Sequence, residues 1–210
     1  MRRKPNVEQR RRDLCDAAIE LLAADGARGL THLRVDRRAG LPDGTTSFYY
    51  QTRVALLRGA LDRVIELDIE NFTNALTVAG DGQVDSLLSQ LAEQAMRTAV
   101  EPERSRARAR FELMMIASHE PELGAVLDGL MTRFVAISEA AVAQVQPAST
   151  PPDRLLVEEQ AFAVVTFLGG FLFRIAYGLA EMDSAKHLER YLHSVIAGVA
   201  ADHAKGSDPR

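Results

Sequence analysis

Apolar positions along this 210-residue chain recur at helical spacing. Leu14, Ala18, Leu21 and Leu22 fall on one face of a helix predicted over 7–25. Gly26 ends that helix, and Gly29 keeps the following link short. Thr31 is a good N-cap for a short second helix over 31–39, in which Val35 faces inward and Arg34, Arg37 and Arg38 face out. Gly40 supplies a tight turn, and Pro42 suits the start of a third helix over 43–50, where a missing N–H costs nothing. That third helix is crowded with Thr, Ser and aromatic residues, which are poor choices for a helix interior. Its composition is better explained by what it touches than by its own stability.

Thr52 caps a long fourth helix over 53–77, and Gly80-Asp81-Gly82 breaks the pattern. Further helices are predicted over 84–100, 103–119, 121–145, 153–179 and 184–204, the last capped by Ser184. A proline-bearing loop falls at 146–152. The fold class is therefore all-α, with an N-terminal three-helix unit and a C-terminal helical bundle. Residues 1–6 are basic and polar and are expected to be disordered.

Composition narrows the class. Hydrophobic residues make up 47% and charged residues 26%, the balance of a soluble globular chain with a core of real size. No uninterrupted apolar run reaches the roughly 20 residues of a membrane span. The nearest, 161–173, ends at Arg174, so no membrane partner is expected. The basic N-terminus has no apolar segment behind it and does not read as a signal peptide. Cys15 is the single cysteine, so no intrachain disulfide forms and a reducing cytoplasm is the natural compartment. The net charge of −4 is unevenly spread: residues 1–53 carry a balance of +4 and residues 54–210 a balance of −8. A basic head on an acidic body is the pattern of a polyanion-binding module attached to something else.

Two short helices joined by a tight glycine turn, behind a supporting helix, form either a helix-turn-helix or a plain helical corner. In the first case the second short helix lies in the major groove, where small hydroxyls approach base edges and phosphates and an aromatic ring meets a thymine methyl or a sugar.

The stretches DLCDAAIELLAADGARGLT and RRAGLPDGTTSFYYQTRVALL carry a resemblance here. Residues 10–57 resemble the DNA-binding domain of the tetracycline-repressor (TetR/AcrR) family. The second stretch is the specific one: a Gly turn, a hydroxyl-rich helix ending in aromatics, then a basic residue opening the next helix. The resemblance covers about a quarter of the chain. It implies a boundary between a DNA-binding domain at 1–52 and a ligand-sensing and dimerisation domain at 53–210. It further implies that Thr31 and His32 meet phosphate, that Thr45, Ser47 and Phe48 face the groove, and that the Tyr49 hydroxyl and Arg53 bind phosphate. Thr46 belongs to the same DNA-binding set, though it stands where many members have Leu and is expected partly buried. Tyr50, Val35 and Leu41 are expected in the core. Asp43 replaces a common polar or basic contact. Asp36 stands where Ala is usual and is expected to accept an inner hydrogen bond from an Arg or a backbone group. Phosphate binding then leans on Arg2, Arg3, Lys4, Arg10, Arg11 and Arg34, each neutralised phosphate adding about 0.9 to the salt slope.

In the body, Phe111, Met114, Met115, Met131, Phe134, Phe162 and Phe167 are of the types that line a cavity for an apolar or amphipathic ligand; the same residues also fill ordinary cores. Arg110, His119 and Arg174 add polar recognition or pair with internal carboxylates. The last two helices are expected to form a homodimer through Gly169, Gly170, Phe173, Tyr177, Leu188, Tyr191, Leu192 and Val195. A two-fold dimer implies a palindromic double-stranded DNA operator. The function expected is a ligand-responsive repressor with an unidentified small-molecule effector and no cofactor or metal. The alternatives are an activator without an inducer and a helical adaptor. No enzyme is expected: His32, His119, His187, His193 and His203 show no metal-binding spacing, and no phosphate loop or nucleophile elbow occurs.

Overall fold

In the computed structural model the described residues are 7–78, 86–146, 153–179 and 182–206, with backbone only at 71–78 and 206. They form nine helices: α1 (Val7–Gly29), α2 (His32–Arg38), α3 (Thr45–Tyr49), α4 (Arg53–Val78), α5 (Leu87–Arg97), α6 (Glu103–Ala117), α7 (Pro121–Gln144), α8 (Arg154–Ala176) and α9 (Ala185–Gly206). Arg3, Lys4 and the expected break at Gly80-Asp81-Gly82 lie outside the described residues.

The local chemistry explains the boundaries. The Thr31 hydroxyl accepts the Arg34 N–H at 3.3 Å and caps α2. The Thr52 hydroxyl accepts the Ala55 N–H at 3.1 Å and opens α4. Ser86 and Asp153 do the same for α5 and α8. Two expected ends differ. Gly26, at φ 63° and ψ −165°, interrupts α1 without ending it, and one further helical turn runs to Gly29. The third helix begins at Thr45 rather than 43, because Gly44 takes a left-handed φ of 94° and itself serves as the N-cap.

Contacts divide the chain into two units. The first comprises 1–70 and 101–128, so that α1, α2, α3, most of α4, α6 and the start of α7 pack together. The expected boundary by role falls at 52/53; packing places residues 53–70 of α4 and all of α6 with the first three helices. Leu14, Leu21, Leu22, Val35, Leu57 and Leu113 are among its fully buried side chains. The second unit comprises 71–100 and 129–210. Its core joins Leu88 and Ala92 of α5, Val164, Leu168 and Phe171 of α8, and Leu188, Leu192 and Ile196 of α9.

By length and composition α8 is apolar enough to cross a bilayer, with a mean hydropathy of 1.5 over its best eighteen residues. Isolated polar residues punctuate the helix, so no uninterrupted apolar run within it reaches that length. One side of α8 is core; the other exposes Phe162 and Phe173.

Candidate nucleic-acid interface

The recognition segment is built around a buried carboxylate. Asp36 of α2 is 1% exposed. Its Oδ2 accepts the Gly44 N–H at 2.7 Å, and its Oδ1 accepts both the backbone N–H of Thr46 at 2.6 Å and the Thr46 hydroxyl at 2.5 Å. A five-residue helix of Thr, Ser and aromatics has little stability of its own. Here the N–H groups of Gly44 and Thr46, which such a helix leaves without partners, are bonded to the Asp36 carboxyl, while the Thr45 N–H is taken by the Pro42 carbonyl. The expectation that Asp36 accepts an inner hydrogen bond holds, with backbone rather than Arg as donor. The expectation that Thr46 meets DNA does not: its side chain is wholly buried and its hydroxyl is committed to Asp36.

With Thr46 inward, the outward positions of α3 follow from helical geometry. Phe48 is 79% exposed and Ser47 is exposed, while Thr45 and Tyr49 are half-buried. The Thr45 hydroxyl donates to the Pro42 carbonyl at 2.6 Å. Phe48 and Tyr49 pack edge to face with ring centres 5.1 Å apart, so the exposed Phe48 ring is held in place from one side. Leu41, expected in the core, is half-buried, whereas Val35 and Tyr50 are buried.

The polar residues around α3 are tethered within the chain. His32 Nε2 donates to the Tyr50 carbonyl at 2.7 Å, so this nitrogen faces inward rather than toward a phosphate. Arg53 donates to the Ala27 carbonyl at 2.7 Å, and Arg34 pairs with Asp25. Arg11 reaches the Tyr49 carbonyl at 3.4 Å, with its guanidinium 5.1 Å from the centre of the Tyr50 ring. Asp43 faces Arg37 at 3.7 Å. These arginine contacts are exposed, and an exposed pair contributes only about 0–1 kcal/mol, less than a charge-assisted phosphate bond returns.

Behind α3 an open cleft of about 560 Å³ runs between α1 and α4, lined by Arg11, Arg12, Tyr49, Tyr50, Arg58 and Arg63 among others. At its floor Cys15 Sγ lies 3.0 Å from the Tyr50 hydroxyl. Burial pushes the Cys15 thiol up to about 11 and pushes the Tyr50 hydroxyl up as well, so both are neutral at pH 7 and Cys15 is no nucleophile. Along the cleft Arg63 bonds Asp16 at 2.8 Å and Glu66 at 2.7 Å, and Arg12 bonds Glu66 at 3.0 Å. These ties hold α1 and α4 together beneath the recognition helix.

The expected ligand residues fall in both units. Phe111, Met114, Met115 and His119 belong to the first, Met131, Phe134, Phe162 and Phe167 to the second. Met115 and His119 are exposed, and Phe162 is 72% exposed, so these three do not line an enclosed cavity within their own unit. Arg110 pairs with Asp68 at 3.0 Å, the internal carboxylate that was one of its two expected partners. Burial pushes the Asp68 carboxyl up, against the pull of Arg110. Arg174 donates to the Leu179 carbonyl at 3.0 Å.

The expected dimer residues separate cleanly. Leu188 and Leu192 are fully buried in the core of their own unit, so they are not free to meet a second copy. Phe173, Tyr177, Tyr191 and Gly170 are exposed, and Gly169 and Val195 are half-buried. Phe162 lies on the same side of α8 as Gly170, Phe173 and Tyr177, at spacings of 8, 11 and 15 residues. That spacing was legible in the sequence and places Phe162 with the exposed face rather than with a pocket.

Comparison with known proteins follows the same lines. A family model described as the tetracyclin repressor-like, C-terminal domain matches residues 82–198, more than half of the chain. No curated protein matches the sequence. Among solved structures, a TetR-like transcriptional regulator from Rhodococcus sp. RHA1 is 19% identical with a TM-score of 0.67, covering 94% of this chain and 99% of its own. A TetR family member from Streptomyces coelicolor is 22% identical with a TM-score of 0.64, covering 93% and 98%. The multidrug binding protein EbrR is 23% identical with a TM-score of 0.63, covering 93% and 96%. The chain belongs to the tetracycline-repressor family of transcriptional regulators.

Proposed function

We propose that this regulator is a cytoplasmic repressor that binds a palindromic double-stranded DNA operator as a homodimer and is released by a small apolar or amphipathic effector. The observation that carries the reading is the Asp36-anchored α3, which holds Ser47, Phe48 and Tyr49 outward on a frame too short to stand alone. In this reading residues 1–52 recognise DNA and residues 53–210 sense the effector and dimerise. Ser47, Phe48 and Thr45 face the groove. The Tyr49 hydroxyl, Thr31, Arg11 and Arg34 take phosphates as their exposed internal contacts open, and Arg53 meets one through the guanidinium nitrogens that Ala27 does not occupy, with Arg3 and Lys4 adding to neutralisation.

The exposed side of α8, with Phe162, Phe173 and Tyr177, supports self-association, because an apolar strip of this kind is unfavourable in water. An effector is supported by the related EbrR, whose structure has been solved with imidazole and with ethidium. Phe111 and Met114 in the first unit, and separately Met131, Phe134 and Phe167 in the second, remain the half-buried or partly exposed candidates to meet such a ligand.

Selection of bound DNA from a random pool, followed by footprinting, tests the reading. Two inverted half-sites about one helical turn or more apart are expected, with affinity falling steeply as salt rises. A pool that yields no enriched sequence sinks the proposal. Linkage requires that an effector lower operator affinity by the same factor by which operator lowers effector affinity.

A further inference from the structure

We infer that Glu112 of α6 is a positioning residue for DNA recognition, acting through Ala27 at the kink of α1. The inference rests on the DNA-binding role proposed above. It starts from Gly26, whose φ of 63° and ψ of −165° break the helical hydrogen-bond ladder. The N–H of the next residue, Ala27, is there taken by Glu112 Oε2 at 3.3 Å, across 85 positions of sequence. A Cβ at residue 26 would lie 3.1 Å from that same oxygen and 3.4 Å from the carboxyl carbon. Glycine therefore does two things at this position: it permits the left-handed turn, and it leaves room for the carboxylate that holds the turn.

The other side of the same residue is held from a different direction. The Ala27 carbonyl accepts from Arg53 Nη2 at 2.7 Å. Arg53 is the first residue of α4 and follows the C-cap of the recognition helix, Tyr50, by three positions. One residue is thus gripped by α6 through its N–H and by the start of α4 through its C=O. Three residues further on, the buried Leu30 leads into Thr31, which caps α2. Through Asp36, α2 fixes the start of α3. Glu112 has no need to touch DNA: it sets the turn from which α2, and then α3, departs. A neighbour that is out of place by even an ångström costs a recognition surface much of its affinity.

Reach and charge can be separated by substitution. Glu112→Gln keeps the side-chain length and an amide oxygen that accepts the Ala27 N–H. Glu112→Asp keeps the charge but is one methylene short. We expect Glu112→Asp to weaken operator binding by about 5- to 30-fold, the range that losing one such bond represents, and Glu112→Gln to bind close to wild type. The slope of affinity against salt stays the same in both, since no phosphate contact is removed. In the free full-length chain, hydrogen exchange at the Ala27 amide speeds up in Glu112→Asp and not in Glu112→Gln.

A merely electrostatic role predicts the reverse order: Glu112→Gln, with one negative charge fewer, would bind DNA more tightly than wild type, and Glu112→Asp would match it. That order, or equal binding by all three proteins, overturns the inference. An unchanged Ala27 exchange rate in Glu112→Asp overturns it independently of DNA. A wild-type chain that selects no operator instead overturns the functional reading on which the inference rests.

Discussion

Asp36 Oδ1 binds Thr46 twice, through the backbone N–H at 2.6 Å and the hydroxyl at 2.5 Å. The pair joins the first short helix of the head to the second, and both residues are removed from water. Removing one partner would strand the others, which costs about 1–3 kcal/mol for each buried group left without a bond. Asp36→Ala should therefore lower stability to denaturant by about 2–4 kcal/mol, even though the residue touches no solvent and no expected ligand. Thr46→Val, which keeps the shape and the backbone bond, should cost only about 1 kcal/mol. Urea unfolding of the two variants checks the order.

Recognition itself should depend on what α3 turns outward. Ser47→Ala and Tyr49→Phe each remove one hydroxyl from an exposed or half-buried position without touching the core. Each is expected to weaken operator binding by about tenfold, equivalent to roughly 1.4 kcal/mol, with the far-ultraviolet circular dichroism unchanged. Fluorescence anisotropy with a labelled operator measures this. Arg11→Gln should also flatten the salt dependence by about one unit of slope, because its guanidinium is held by a long 3.4 Å contact to the Tyr49 carbonyl and by the Tyr50 ring, exposed contacts that yield to a phosphate.

Stability should carry a pH-dependent component from the end of α9. His203 Nδ1 lies 2.9 Å from Glu159 Oε2, and its Nε2 lies 3.3 Å from Asp153 Oδ2. The hydrogen bond to Glu159, reinforced by Asp153, raises the His203 pKa above its usual value of 6.5. A group whose pKa is raised by folding stabilises the folded state fully below its unfolded pKa. That contribution is lost as pH climbs through the folded one. The melting temperature should therefore decline as pH rises from 6 through neutrality, and His203→Gln should remove that part of the decline. Thermal unfolding of both proteins at matched ionic strength reads the difference.

Self-association should follow the exposed side of α8 and not the buried stripe of α9. Phe173→Asp or Tyr177→Asp places a charge on that exposed side, where burial without a partner costs at least about 2 kcal/mol. Sedimentation velocity should show a shift toward monomer with the fold intact. Leu192→Asp, by contrast, places a charge in the core of the unit and should unfold it before any question of assembly arises.

Much of this protein was legible in its sequence because the signals were local. Thr31, Thr52 and Asp153 mark helix starts by a chemistry that acts over two or three residues. The odd composition of 43–50 points to a helix explained by what it touches. Asp36 is readable as an inner acceptor through the family resemblance, since it stands where Ala is usual and a carboxylate in such a place must find donors. The charge difference between 1–53 and the remainder needed only counting.

The tertiary structure decided what locality could not reach. Periodicity shows that α9 has an apolar stripe, yet it assigns Leu188 and Leu192 to the core and Tyr191 to the surface only once α5 and α8 are in place. Thr46 reads as one more hydroxyl on a recognition helix until Asp36 turns it inward. Arg53 and His32 read as free donors until the carbonyls of Ala27 and Tyr50 occupy them. The grip of Glu112 on Ala27 joins residues 85 apart, and no spacing rule along a helix connects them. Sequence fixes which groups a chain carries and which helices they ride on; only the packing of those helices determines which groups still have a hydrogen bond to give.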